Sequence, residues 1–248
     1  MYKVVAIMAS KRKKNTYKVV EEVQGILAKQ AIQVEIINLY DYQIESCIGC
    51  EVCILKERCV LKDDTSALME KLQTSDGIIL ASPVYLENIS GKLKTFIDRT
   101  CAWFHRPVLY GKPLMVMATT KGSGLQSTLD YLQSVGRQWG MLNVAQIGRN
   151  VRTIKQPITE KECNSFIRHI KMDKKDYVPS FESIKNFQVQ RVLANGLVPK
   201  DQEYWLQKGW DKKVYYFDCK INPLKKLAGM GLYYFLNTVI HGKKRKEV

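Results

Sequence analysis

Lys3-Val4-Val5-Ala6-Ile7-Met8-Ala9-Ser10-Lys11-Arg12-Lys13-Lys14-Asn15-Thr16 opens on an apolar run rich in branched residues and ends in a polar, cation-rich turn. An uninterrupted apolar run of this length reads as a strand buried on both faces, the habit of parallel sheets. Residues 16–30 then switch to helical spacing through Val19, Val20, Val23, Ile26 and Leu27. The alternation repeats. Strands are predicted over 34–39, 77–81, 113–119 and 142–147. Helices are predicted from a cap at Asp64 through Leu68, Met69 and Leu72, then over 90–100 and 125–139. Such alternation predicts an open parallel α/β sheet with helices on both faces, and five strands suit the doubly wound order 2-1-3-4-5. Ligands of such sheets bind beyond the carboxyl ends of the strands, where the winding reverses. Here that means the loops after the first and third strands.

Those loops have the chemistry of an anion and ring site. Free N–H groups at a helix start favour a phosphate. Ser10, Arg12, Asn15 and Thr16, with Tyr17 behind them, are placed to add hydrogen bonds. Neither the GxxxxGK[ST] pattern nor GxGxxG is present, so a monophosphate such as that of FMN fits better than a triphosphate or dinucleotide. After the third strand, Pro83, Val84, Tyr85 and Leu86 offer a pinned turn along which a flat ring can lie. After the fourth, Thr120, Lys121 and Gly122 allow close backbone approach. The bland rival is a solvated basic turn with an ordinary helix start.

A second constellation is Cys47-x2-Cys50-x2-Cys53-x5-Cys59, four of the seven cysteines within thirteen residues. Thiolates are soft ligands, and two-residue spacers let a curled loop aim successive sulfurs at one centre. A [4Fe–4S] cluster accounts for number and spacing; structural zinc, a redox disulfide and an inert loop are the rivals. Cys101, Cys163 and Cys219 stand alone and are assigned no role. His105 reads as a satisfied loop residue, because flavin hydride transfer needs no protein acid, and Trp103 and Phe104 read as packing residues. No catalytic side chain is assigned.

The 248-residue chain carries a formal net charge of +15. Residues 1–150 hold 19 Lys and Arg against 14 Asp and Glu, and 151–248 hold 20 against 10. That field favours anionic partners, but no nucleic-acid-binding motif accompanies it, so none is expected. An apolar start followed at once by basic residues reverses the order of a secretory leader. With an odd number of cysteines, four of them clustered, the expected compartment is a reducing cytoplasm.

As a set, the Ser10-to-Thr16 loop, the cysteine run followed by Asp63-Asp64, Ser82-Pro83-Val84-Tyr85 and residues 90–99 resemble the flavodoxin-like NAD(P)H-dependent FMN reductases, specifically their iron–sulfur flavoprotein branch. The resemblance covers roughly residues 1–150. It implies FMN at the strand ends, NAD(P)H or a ferredoxin-like electron donor, and assembly into homodimers or homotetramers. Two alternatives stand beside it: a cluster-free NAD(P)H-dependent FMN or quinone reductase, and a non-enzymatic flavin-binding regulator that contacts polyanions.

Residues 151–248 read as a basic, mainly helical extension to a flavodoxin-like domain over 1–150. Thr159 is expected to cap a helix through Phe166, Ile167 and Ile170, followed by helices over 183–195, 200–208 and 223–240. The apolar stretch 227–240 is too short to span a bilayer. Followed by Lys243-Lys244-Arg245-Lys246, it reads as a core or interface helix in preference to one at a membrane surface.

Overall fold

The computed structural model describes residues 1–196 and 198–241. β1 (Tyr2–Met8), β2 (Ile32–Asn38), β3 (Gly77–Pro83), β4 (Pro113–Thr119) and β5 (Leu142–Arg149) form one sheet in the order β2-β1-β3-β4-β5. Every pairing is parallel, with Val4 opposite Val34 on one side and Gly77 on the other. This is the flavodoxin-like winding anticipated from the alternation of strands and helices.

Because side chains alternate along a strand, the sheet builds two cores. Val4, Ala6 and Met8 face α1 (Asn15–Ala28) and α7 (Glu160–Lys171), packing on Val20, Val23, Leu27 and Phe166. Val5 and Ile7 face the other way, toward α3 (Thr65–Thr74), α4 (Gly91–Asp98) and α6 (Leu125–Gln138). Each fully buried Leu, Ile or Phe contributes roughly 1.5–3 kcal/mol relative to exposure, which makes this double layer the main stabilising feature.

A third, aromatic core lies in the C-terminal part. Phe187 of α8 (Phe181–Ala194), Trp205 of α9 (Pro199–Gln207), Trp210, Tyr215 and Tyr216 pack with Tyr177 and Leu142. α10 (Pro223–His241) runs along α8. The basic run Lys243 to Lys246 lies outside the described residues.

Three local features differ from the sequence-based expectation. The cysteine loop contains a helical turn, α2 (Val52–Lys56), bounded by Glu51 and Glu57 at φ 57° and 58°. Another short helix, α5 (Ala102–His105), follows α4. Asp64 stands at the start of α3 but its carboxylate accepts from the Gln43 N–H at 2.7 Å, while Asp63 accepts from the Thr65 N–H at 3.0 Å. Tying down the cysteine segment takes precedence over capping the helix. Thr159, by contrast, caps α7 as expected, and Glu162 completes a capping box.

Candidate functional site

The carboxyl ends of β1, β3 and β4 border a cleft of about 320 Å³, within the range of small-molecule sites. Ser10, Arg12, Asn15, Thr16, Pro83, Val84, Tyr85, Thr120 and Lys121 all line it. Lys14 and Thr119 line it too, and sequence reasoning passed over both. Lys14 was hidden in a run of four cations, and Thr119 closes a strand where a threonine is unremarkable. Of the residues singled out from the sequence, Tyr17, Leu86 and Gly122 do not line the cleft. Tyr17 packs toward the α1 core with Lys13 Nζ 5.5 Å above its ring. Leu86 is fully exposed at a turn tip, and the Gly122 N–H donates to Thr120 Oγ1 at 3.0 Å.

The walls are held from behind. Asn38 Nδ2 donates to the Ser10 carbonyl at 3.0 Å, and the buried Thr16 and Thr119 hydroxyls share a hydrogen bond of 2.6 Å. Tyr85 and Asn88 exchange both backbone hydrogen bonds around Leu86 and Glu87, whose φ values of 46° and 65° make a tight primed turn. That turn is braced by the loop after β4. Gly124 has φ 79°, and a Cβ there would stand 2.5 Å from Glu87 Cα. Only glycine combines that backbone with that approach.

The start of α1 meets the requirements of a phosphate. No side chain caps it at Lys14, and its first turn contains no acidic residue. Its N–H groups, with the positive end of the helix dipole, are open to an anion and face no competing carboxylate.

The four clustered cysteines border a second, smaller cavity with Asp98 and Arg99. Cys47, Cys50 and Cys59 are exposed and Cys53 is half-buried. Burial and the neighbouring Cys59, Cys47 and Cys50 sulfurs all push the Cys53 thiol up. Cys101, isolated in sequence, also lies near this group: burial raises its thiol, and then the Cys53 and Cys47 charges raise it further. Among the described residues, no three His, Cys, Asp or Glu side chains converge where a single metal ion could sit. None of the four cysteines lines the cleft at the ends of β1, β3 and β4, whereas Cys53 and Cys59 also border a cavity of about 430 Å³ with Arg58, Arg99 and Arg106.

Two buried arginines hold the loop. Arg99 pairs with Asp63 through both guanidinium nitrogens, donates to the Glu45 carbonyl at 2.8 Å and reaches Cys59 Sγ at 3.4 Å. Arg106 donates to the carbonyls of Cys53 and Ile54, each at 2.9 Å, and is itself held by Asp201 of α9. His105 is satisfied, as expected, with Nδ1 donating to Asp201 at 2.8 Å. Trp103 packs edge-on against Trp139, ring centroids 5.3 Å apart.

The family model for NADPH-dependent FMN reductases matches residues 2–155. An iron–sulfur flavoprotein of Archaeoglobus fulgidus is 30% identical over 223 residues, covering 84% of this chain and 99% of its own length. Another, from Methanocaldococcus jannaschii, is 31% identical over 140 residues, covering 53% of this chain and 70% of its own. Among solved structures, RosB with a bound 8-demethyl-8-formylriboflavin-5'-phosphate intermediate superposes with a TM-score of 0.53. That match covers 90% of this chain and 92% of RosB at 13% identity, a likeness of fold alone.

Proposed function

This chain belongs to the NADPH-dependent FMN reductase family, in its iron–sulfur flavoprotein branch, and we propose that it passes electrons between NAD(P)H or a ferredoxin-like donor and an acceptor through FMN in the β1–β3–β4 cleft and a [4Fe–4S] cluster on Cys47, Cys50, Cys53 and Cys59. It is a flavin-dependent oxidoreductase. The observation that carries the placement is the cleft at an uncapped helix start, where nine of the residues chosen from sequence meet.

Bound FMN supplies a centre that accepts hydride or single electrons. The chain's own part is to bind and orient. Ser10, Arg12, Lys14, Asn15 and Thr16 with the α1 N–H groups hold the phosphate, Arg12 and Lys14 contributing charge. Pro83, Val84 and Tyr85 would line the ring system, with Thr120 and Lys121 at its other edge. At the second centre, four sulfurs surround one cavity without converging on a point. The cluster reading therefore rests on the cysteine spacing and on the iron–sulfur flavoprotein relatives. The N–H from Arg99 to Cys59 is the kind of hydrogen bond that tunes such a centre. The cleft and the cysteine cavity share no lining residue, so a homodimer or homotetramer that brings one copy's cysteine loop to another's cleft would shorten the electron path.

Anaerobic purification tests both centres together. The protein should be coloured, release stoichiometric FMN, and contain iron with equal acid-labile sulfide. Colourless protein that takes up no FMN under reducing conditions sinks the proposal. Yellow protein without iron leaves a cluster-free reductase. Arg12→Ala should weaken FMN binding about tenfold or more, roughly 1.4 kcal/mol.

A further inference from the structure

The cavity of about 430 Å³ beside the cysteine loop shares no lining residue with the cleft at the ends of β1, β3 and β4. Its walls come from the cysteine loop, α3, the segment from Arg99 to Val108, and Tyr204 of α9. It is larger than that cleft and within the range of small-molecule sites.

Three guanidiniums, those of Arg58, Arg99 and Arg106, line it against one carboxylate, that of Glu57. Asp63 and Asp201 balance Arg99 and Arg106, but neither arginine spends all its donors on them. Among the described residues, Arg99 Nε is buried without a partner. The Arg106 Nε has only Glu57 near it, at 3.9 Å, beyond hydrogen-bond length. Arg58 makes no ion pair among the described residues. Folded chains leave few buried donors unmet. Two such N–H groups at one cavity, beside a free cation, call for an oxygen acceptor from outside the chain.

The same cavity has apolar lining in Met69, Val108 and Tyr204, all half-buried, and in the buried Trp103. An inorganic anion would meet the donors and leave this surface wet, and a hydrocarbon would do the reverse. A carboxylate on a flat apolar body satisfies both.

We propose that this cavity binds a small aromatic acid, its carboxylate on Arg58 and Arg106 and its ring against Met69, Val108 and Tyr204. The site goes beyond the two redox centres and does not depend on either being filled. An acid bound there would lie beside Cys53 and Cys59.

The test is calorimetric titration of the full chain with 2-naphthoate, with its neutral isostere 2-naphthamide, and with inorganic phosphate. Naphthoate should bind one per chain, about tenfold or more tighter than either of the others. Arg58→Ala, at an exposed position, should weaken naphthoate about tenfold and leave the amide unchanged. Gln73→Trp, exposed on α3 at the cavity, should fill the space and abolish naphthoate binding. FMN and iron, assayed on the same samples, should be unchanged by Gln73→Trp and by added naphthoate, so that failure of a redox centre is told apart from failure of this site. Absence of naphthoate binding overturns the proposal, as does equal affinity for acid and amide. Phosphate binding as tightly as naphthoate would mean an adventitious anion only and overturns it too. So does binding that survives Gln73→Trp, or naphthoate that releases FMN or iron, because the acid would then sit at one of the redox centres.

Discussion

Arg99 is 4% exposed, and its charge is tolerable there because Asp63 meets it with both carboxylate oxygens. Breaking a pair this deeply buried strands a charge, at a cost of about 3–5 kcal/mol. Arg99→Gln should therefore lower the unfolding free energy by about that amount in urea melts, and iron content should fall with it. Burial works against the Asp63 carboxylate, but Arg99 and the N–H groups of Glu45 and Thr65 outweigh it and hold the carboxyl well below its ordinary 3.8. Its contribution to stability is then complete above about pH 4 and is withdrawn as pH falls through the lower folded value. Wild type should lose its stability advantage over Asp63→Asn only below about pH 4 in denaturant titrations; an advantage that vanished nearer neutral pH would point to another group. In the cleft wall, Gly124→Ala brings both a disfavoured φ and a clash with Glu87. It should cost about 1–3 kcal/mol and weaken FMN binding, read by thermal melts and flavin titration. These partnerships were invisible in sequence. Arg99 reads there as one more cation in a helix, and Cys101 as a solitary thiol, because each meets the cysteine loop only through the fold.

α1 and α7 show how helix ends separate structure from function. α7 is closed by its own Thr159 and Glu162, the Glu162 carboxyl being lowered first by Arg149, against the opposing effect of burial, and then by Thr159. Thr159→Ala should cost about 1 kcal/mol and leave flavin binding alone. α1 has no such cap, and the two ends should respond oppositely to added charge. Asn15→Asp places a carboxylate in the first turn, which favours the empty helix by about 0.3–1 kcal/mol but repels a phosphate. Melting of the flavin-free protein should rise slightly while FMN affinity falls about tenfold or more; a rise in both would place the phosphate elsewhere. The order of elements was legible because buried parallel strands and amphipathic helices have different periods. The short α2 and α5 were not, since four or five residues carry no period to read and their shape comes from what they pack against.

Across the whole molecule, α9 is tied to the cysteine loop through His105 and Arg106. Asp201 of α9 is 2% exposed and accepts from both Arg106 and His105, while Trp205 Nε1 donates to the His105 carbonyl at 2.9 Å. Arg106 in turn holds the Cys53 and Ile54 carbonyls. Asp201→Ala should destabilise by about 3–5 kcal/mol and reduce bound iron together, measured by calorimetry and iron analysis on the same preparation. Retained iron in a destabilised variant would mean the clamp serves packing alone. The succession of strands and helices, the loops that meet at the cleft and the cysteine run were determined by local pattern: period, turn chemistry and spacing are written in contiguous residues. Tertiary structure alone decided that two buried arginines grip the cysteine loop and that Lys14 and Thr119 complete the cleft. Each depends on which distant surfaces meet, and the energy of meeting belongs to pairs of residues that no short stretch of chain contains.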